Sequence, residues 1–173
     1  MIRRSTEQDI AGVAEIYGKI LEREPDNPMT GWKKGIYPTE QTALEAHRNG
    51  ELFVMVAGRE LVAAAIINHK QVREYADCEW SFSARDDEIL VLHTLVVDPG
   101  QSGKGYATDF VRFYEAEGVQ RDCRVLRLDT NAINAAARKL YQKLGYREAG
   151  IVSCDFNGLD RIRLVCLEKD LNT

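Results

Sequence analysis

Two stretches of this 173-residue chain carry residue types whose spacing could do chemistry. The first is Leu92–Ala107, LHTLVVDPGQSGKGYA. A strand-like run, Ile89–Val97, ends in Asp98-Pro99; a glycine-bearing loop, Gly100–Gly105, follows, and Tyr106–Glu117 reads as a helix. The first amides of a helix have no partner inside it, and the helix dipole turns its positive end towards them. Strand, glycine loop and helix start together therefore suit an anion. Gly103 and Gly105 can take positive φ and let the backbone approach a phosphate closely. The second stretch is Asn134-x-x-Ala137-x-x-x-Tyr141, followed by Leu144-Gly145-Tyr146. On a helix, steps of three and four put Asn134, Ala137 and Tyr141 on one face. A polar group, a small residue and a phenol in line make a slot for a thin ligand arm with a donor at its end. Read as scaffold alone, the same residues are an N-cap asparagine and an amphipathic tyrosine.

Several anion-binding chemistries fail on residue type. A P-loop needs G-x-x-x-x-G-K-[ST], whereas Lys104 is followed by Gly105. A dinucleotide loop belongs to an opening βαβ unit with an acidic residue about 20 positions on. This loop lies mid-chain, after what reads as an antiparallel hairpin.

The elements that must position these residues follow from periodicity. Ile2–Arg4 reads as a short strand. Ser5 or Thr6 can cap a helix whose residues Ile10, Val13, Ala14, Tyr17, Ile20 and Leu21 recur on one face. Glu24–Pro38 holds Pro25, Pro28, Pro38, Gly31 and Gly35 with Trp32 and Tyr37 among them, so it reads as a loop that either walls a substrate or packs on the core. Thr39–Asn49 reads as a helix stopped by Gly50. Leu52–Ala57 and Leu61–Asn68 form a hairpin across Gly58-Arg59-Glu60. Lys70–Asp87 is a polar connection carrying Trp80 and Phe82. Arg124–Asp129 is the next strand, Asn134–Lys143 a second amphipathic helix ended by Gly145, and Arg147–Phe156 with Asp160–Leu167 a last hairpin turning at Asn157-Gly158.

Composition narrows the class. The length suits one domain, 1–173, with a full core. A net charge of −4 lacks the basic surplus of a nucleic-acid binder. Met1 leads straight into Ile2-Arg3-Arg4, and the longest apolar run, Leu61–Ile67, is strand-sized, so neither a secretory leader nor a membrane span is expected. Cys78, Cys123, Cys154 and Cys166 are widely spaced and form no C-x-x-C pair; reduced thiols, no metal site and a cytoplasmic location are the expectation.

In this order and separation, the two stretches resemble the GNAT family of acyl-CoA-dependent N-acetyltransferases. That family's loop reads Q/R-x-x-G-x-G/A. Over Ser102-Gly103-Lys104-Gly105-Tyr106-Ala107, Gly105 and Ala107 match; Ser102 stands where Gln or Arg is usual, with Gln101 one place earlier. The element order is similar from Ile2 to Leu171, and over the N-terminal third it is the only likeness. The resemblance implies an α/β (α+β) fold: a mixed, mostly antiparallel central sheet of about six or seven strands with helices on both faces. It implies that the amides of Gly103, Lys104, Gly105, Tyr106 and Ala107, with Ser102 opening the loop, hold the pyrophosphate of acetyl-CoA. The backbone of Leu95, Val96 and Val97 would pair with the pantetheine arm as an added strand, in a slot opened where that strand and Arg124–Asp129 splay apart. Asn134 would hydrogen-bond the arm, and Tyr141 would protonate the leaving thiolate. A backbone N–H near Val96 or Val97 would polarise the thioester carbonyl.

Direct attack by an amine needs no protein nucleophile, only orientation and a base. His93, on the strand before the loop, leads the base candidates, since alternation puts it on the face of Leu95; it reads equally as a packed strand histidine. Glu79 and Glu88 follow, each also readable as a solvated side chain. The partners implied are acetyl-CoA as co-substrate and an amine acceptor that the sequence does not name; a homodimer through the terminal strands is compatible. Two other functions use the same loop: an acyl-CoA sensor or partner subunit without turnover, and an ATP-binding protein.

Overall fold

A computed structural model describes residues 1–23, 29–156 and 159–172. The 24–28 part of the proline-rich stretch and the Asn157-Gly158 turn lie outside the described residues. In chain order the elements are β1 (Ile2–Arg4), α1 (Ile10–Arg23), α2 (Glu40–Arg48), β2 (Leu52–Ala57), β3 (Glu60–Asn68), β4 (Ile89–Val97), α3 (Tyr106–Gln120), β5 (Val125–Asn131), α4 (Ala135–Lys143), β6 (Arg147–Phe156) and β7 (Leu159–Asp170). The seven strands form one open sheet in the order β1-β2-β3-β4-β5-β7-β6. β1–β2, β2–β3, β5–β7 and β6–β7 are antiparallel and β4–β5 is parallel, so the sheet is mixed and mostly antiparallel, as the sequence implies.

Packing gathers the chain into two compact units. The first comprises β1, α1, α2, β2, β3 as far as Ile67, and His93–Phe113. Thr6 and Asp9 cap each other in a short 3₁₀ turn before α1 (Thr6 N to Asp9 Oδ2, 2.6 Å). α1 then buries Ile10, Val13, Ile16, Tyr17 and Leu21 at helical spacing. Thr39 caps α2, and Gly50, at φ 69°, ends it. Both helices cover one sheet face, where Leu52, Val54, Ala64, Ile66 and Val96 complete the core. Each fully buried aliphatic side chain there stabilises by about 1.5–3 kcal/mol. On the opposite face Phe53 meets Phe113 of α3, ring centroids 5.5 Å apart. The helices on both faces are therefore seen within this unit alone.

The second unit comprises 29–31, Asn68–Leu92 and the chain from Tyr114 onward. The C-terminal half of α3 lies close on the sheet: a Cβ at Gly118 would come within 2.8 Å of side-chain carbons of Leu126 and Leu171. Buried Tyr114 places its hydroxyl 2.6 Å from the Leu90 carbonyl and 3.0 Å from that of Arg127. The other face is covered without a regular helix. Tyr75, with Trp80 and Phe82, packs there on Ile89, Val91, Val125, Cys154, Leu164 and Cys166. The polar Lys70–Asp87 connection is thus a strap over a core. Fully buried Glu168 ties it down: its carboxylate accepts from Ser81 N (2.7 Å), Phe82 N (3.3 Å) and Arg147 Nη2 (2.7 Å). Arg127 stacks on Trp80 at 4.0 Å. The widely spaced Cys78, Cys154 and Cys166 all meet in this cluster as free thiols. Among the described residues no helix is long and apolar enough to cross a membrane.

Candidate active site

What the first unit presents at its glycine loop is mostly backbone. Asp98 ends β4, and its N–H donates to the Val62 carbonyl at 2.8 Å. Its carboxylate accepts from Gly100 N (2.7 Å) and from Lys19 Nζ of α1 (2.9 Å); the lysine beside it holds its pKa below the usual range. Ser102, at the position where the family has Gln or Arg, turns its hydroxyl back to the Pro99 carbonyl (3.1 Å). Lys104 Nζ donates to Gln101 Oε1 at 2.6 Å. Both polar side chains therefore stabilise the loop itself. Gly103 and Gly105 have φ of 80° and 83°, and a Cβ at either would meet nothing within 4 Å. Glycine is required for conformation, and the space in front of the backbone is open. Asp109 N donates to the Gly105 carbonyl at 3.0 Å, which starts the α3 ladder. The amides of Tyr106 and Ala107 precede that bond and have no helical partner, an arrangement that suits an anion.

β4 is irregular. Thr94 has φ 50°, a conformation that costs a β-branched residue about 1–3 kcal/mol. Simple alternation does not carry across such a residue, so His93 and Leu95 cannot be assigned to one face by counting. His93, Leu95 and Val97 are half-buried and Val96 is buried. The Thr94 hydroxyl is hydrogen-bonded to the Tyr37 hydroxyl. Tyr37 is buried and stands edge-on to Trp32, centroids 6.0 Å apart. The aromatic pair of the proline-rich loop thus packs on its own unit, with the Tyr37 hydroxyl directed to β4.

The second unit holds the Asn134–Tyr141 face. Asn134 caps α4, its Oδ1 accepting from Ala137 N at 3.1 Å. That leaves both Nδ2 donors and one Oδ1 lone pair of this side chain for a ligand. Asn134 and Ala137 are half-buried and Tyr141 buried, whereas Ala135, Ala136, Lys139 and Gln142 are exposed, so the expected face exists. Tyr141 packs edge-on against Tyr146 at 5.8 Å. Burial, then the nearby Asp129 charge, push the Tyr141 phenol well above its ordinary pKa. The parallel β4–β5 register runs from Ile89↔Val125 to Leu92↔Leu128, and β5 continues to Asn131.

Asp129, on that continuation, is the group sequence reading missed. Its carboxylate accepts from the Tyr75 hydroxyl at 2.7 Å. Desolvation nevertheless pushes its pKa up to about 6, the Tyr75 bond opposing the rise and Glu74 adding to it. Its signal was available: Asp129 alternates with Val125 and Arg127 along β5, and both are buried. Tyr75 had no such signal, because only the packed strap brings it to β5. The two weaker base candidates have structural duties. Glu88 accepts from Arg85 N at 2.9 Å, and exposed Glu79 pairs its backbone with Ala149 (N to O, 3.0 Å).

Solved structures share this architecture. An N-acetyltransferase from Staphylococcus aureus Mu50 superposes with a TM-score of 0.70 at 21% identity, over 99% of this chain and 98% of that one. The ribosomal-protein-S18-alanine N-acetyltransferase of Escherichia coli gives 0.69 at 19%, over 99% and 93%. The yncA protein of Salmonella typhimurium, solved with its cofactor acetyl-CoA, gives 0.72 at 15%, over 100% and 94%. At these identities the likeness establishes the fold. An uncharacterized N-acetyltransferase of Methanocaldococcus jannaschii is 24% identical over 152 residues, 87% of this chain; the match spans 62% of that relative's length. Residues 14–146 match the Acetyltransferase (GNAT) family, which takes in the glycine loop, Asp129 and the Asn134–Tyr141 face. On that match the chain belongs to the GNAT acetyltransferase family.

Proposed function

We propose that this protein moves an acetyl group from acetyl-CoA to a primary amine by direct attack within a ternary complex. The observation that carries the reading is the open loop at Gly103 and Gly105, with positive φ at both glycines and the unpartnered start of α3 behind it. The amides of Gly103–Ala107 bind the pyrophosphate, with Ser102 holding the loop's shape. The backbone of Leu95, Val96 and Val97 pairs with the pantetheine arm, and Asn134 Nδ2 donates to it. A Val96 or Val97 amide polarises the thioester carbonyl.

In the chemical step the amine nitrogen bonds to the carbonyl carbon, the C–S bond breaks, and the ammonium proton leaves. Tyr141 gives its phenolic proton to the departing sulfur; its raised pKa keeps it neutral throughout the working range. Asp129 is the better-supported acceptor of the amine proton, because a carboxylate near 6 can both take and release it close to neutrality. His93 remains the alternative base. Relatives named as N-acetyltransferases support an amine acceptor in general and leave its identity open.

The test is acetyl-CoA with a panel of primary amines, following thiol release. Acceptor-dependent thiol is expected. Stabilisation by CoA without thiol release across the panel would favour a sensor without turnover.

A further inference from the structure

Thr94 breaks β4 one residue before the backbone assigned to the pantetheine arm. A β-branched residue does not hold a φ of 50° unaided; something must over-determine it. A described contact that reaches its side chain is the hydrogen bond between the Thr94 and Tyr37 hydroxyls. Tyr37 is itself fixed. It is 8% exposed, its ring meets Trp32 edge-on, and its backbone bridges to Lys33 (Tyr37 N to Lys33 O, 3.0 Å; Lys33 N to Tyr37 O, 3.2 Å). Tyr17, on α1, lies near enough for Tyr37 to oppose its ionisation. Yet the buried Tyr17 hydroxyl has no hydrogen-bond partner among the described residues. A second phenol is thus left unsatisfied close to Tyr37, whose hydroxyl is engaged by Thr94.

We infer that Tyr37 is a positioning residue for acyl transfer: through Thr94 it holds the kink in β4 and so aims the amides of Leu95–Val97. This rests on the acetyl-transfer reading above. Tyr37 acts through Thr94 and need not touch substrate. Its effect should fall mainly on the oriented step and much less on cofactor affinity, because the Gly103–Ala107 pyrophosphate cradle does not depend on it.

Tyr37→Phe removes one hydroxyl from a buried ring and keeps the ring's packing. It should lower kcat at least tenfold while the acetyl-CoA Kd, by calorimetry, weakens by less than about threefold. In a crystal structure of that variant, Thr94 should leave the left-handed region. Glycine holds positive φ without a pin. In a Thr94→Gly background, therefore, Tyr37→Phe should change neither the φ at 94 nor, by more than twofold, the remaining rate. An unchanged φ at Thr94 in Tyr37→Phe overturns the inference, as does an unchanged kcat or an equal loss in both backgrounds. If wild-type protein binds acetyl-CoA and acetylates nothing, the functional reading fails; the crystal structures still judge the pin by themselves.

Discussion

Gly103 and Gly105 bring no side chain to their loop; Tyr75, Asp129 and Tyr141 bring little else to their part of the second unit. The loop is exposed, and two of its polar side chains are turned inward on the loop itself, Ser102 to Pro99 and Lys104 to Gln101. What it presents is main-chain amides, which do not titrate. The Asp129–Tyr141 group is made of titratable side chains, and burial shifts each of them: the carboxyl to about 6, the two phenols well above their ordinary values. A rigid amide cradle suits an anion whose charge does not change during a reaction. Groups with displaced pKa values suit protons that must move. Under the proposed function, one region holds the cofactor and the other moves protons.

The sharpest way to break that division is Tyr141→Phe. It should reduce kcat by about 10²–10⁴-fold, in the range for loss of a general acid, with the acetyl-CoA Kd nearly unchanged; an unchanged rate removes Tyr141 from the acid role. The opposite signature is expected at the loop. Gly105→Ala forces a Cβ into the left-handed region at about 1–2 kcal/mol. The acetyl-CoA Kd, measured by titration calorimetry, should weaken roughly tenfold for that cost, while kcat at saturation moves much less.

A third test uses pH, and two carboxylates give opposite signs. Asp129 has a raised pKa, so between about 4 and 6 the folded state holds a proton that the unfolded state releases. Its contribution therefore lowers stability as pH rises through that window. Asp9, bonded to Arg3, is held down at about 2. It stabilises above the unfolded carboxyl range and loses that contribution as pH falls towards 2. Denaturant titrations of Asp129→Asn and Asp9→Asn across pH 2–7 should show the falling slope removed in the first and the acid loss reduced in the second. In Asp129→Asn the ascending limb of kcat/KM near pH 6 should also disappear; if it persists and vanishes in His93→Gln, the base is His93. The smallest effect is reserved for Ser102→Ala. Because the cradle is backbone, the acetyl-CoA Kd should change by less than about threefold; a larger loss would give the Ser102 hydroxyl a direct ligand role.

Legibility in the sequence follows the same division. The glycine loop was readable because backbone conformation restricts residue type locally: only glycine sits easily at φ near 80°, so Gly103 and Gly105 announce themselves. The Asn134–Tyr141 face was readable because helical spacing is local too. β4 was bounded correctly at Ile89–Val97, but its kink was hidden, since Thr94 is a good strand residue and no rule of composition puts it at positive φ. The strap over 70–87 was read as a polar connection because its anchors are distant in sequence: Glu168 receives Ser81 and Phe82 from 87 and 86 residues away.

The sequence by itself determined the element order, the glycine loop and the phenol-bearing helix face, all of which depend on residues within a few positions of one another. Only the tertiary structure decided which side chains change their chemistry. Asp129 becomes a group near 6 because folding desolvates it, against the opposing hydrogen bond of Tyr75, 54 residues away. Thr94 holds its kink with Tyr37, 57 residues away, across a hydrogen bond that no spacing predicts. Desolvation and long-range hydrogen bonds are properties of what surrounds a residue, and the chain acquires surroundings only when it folds.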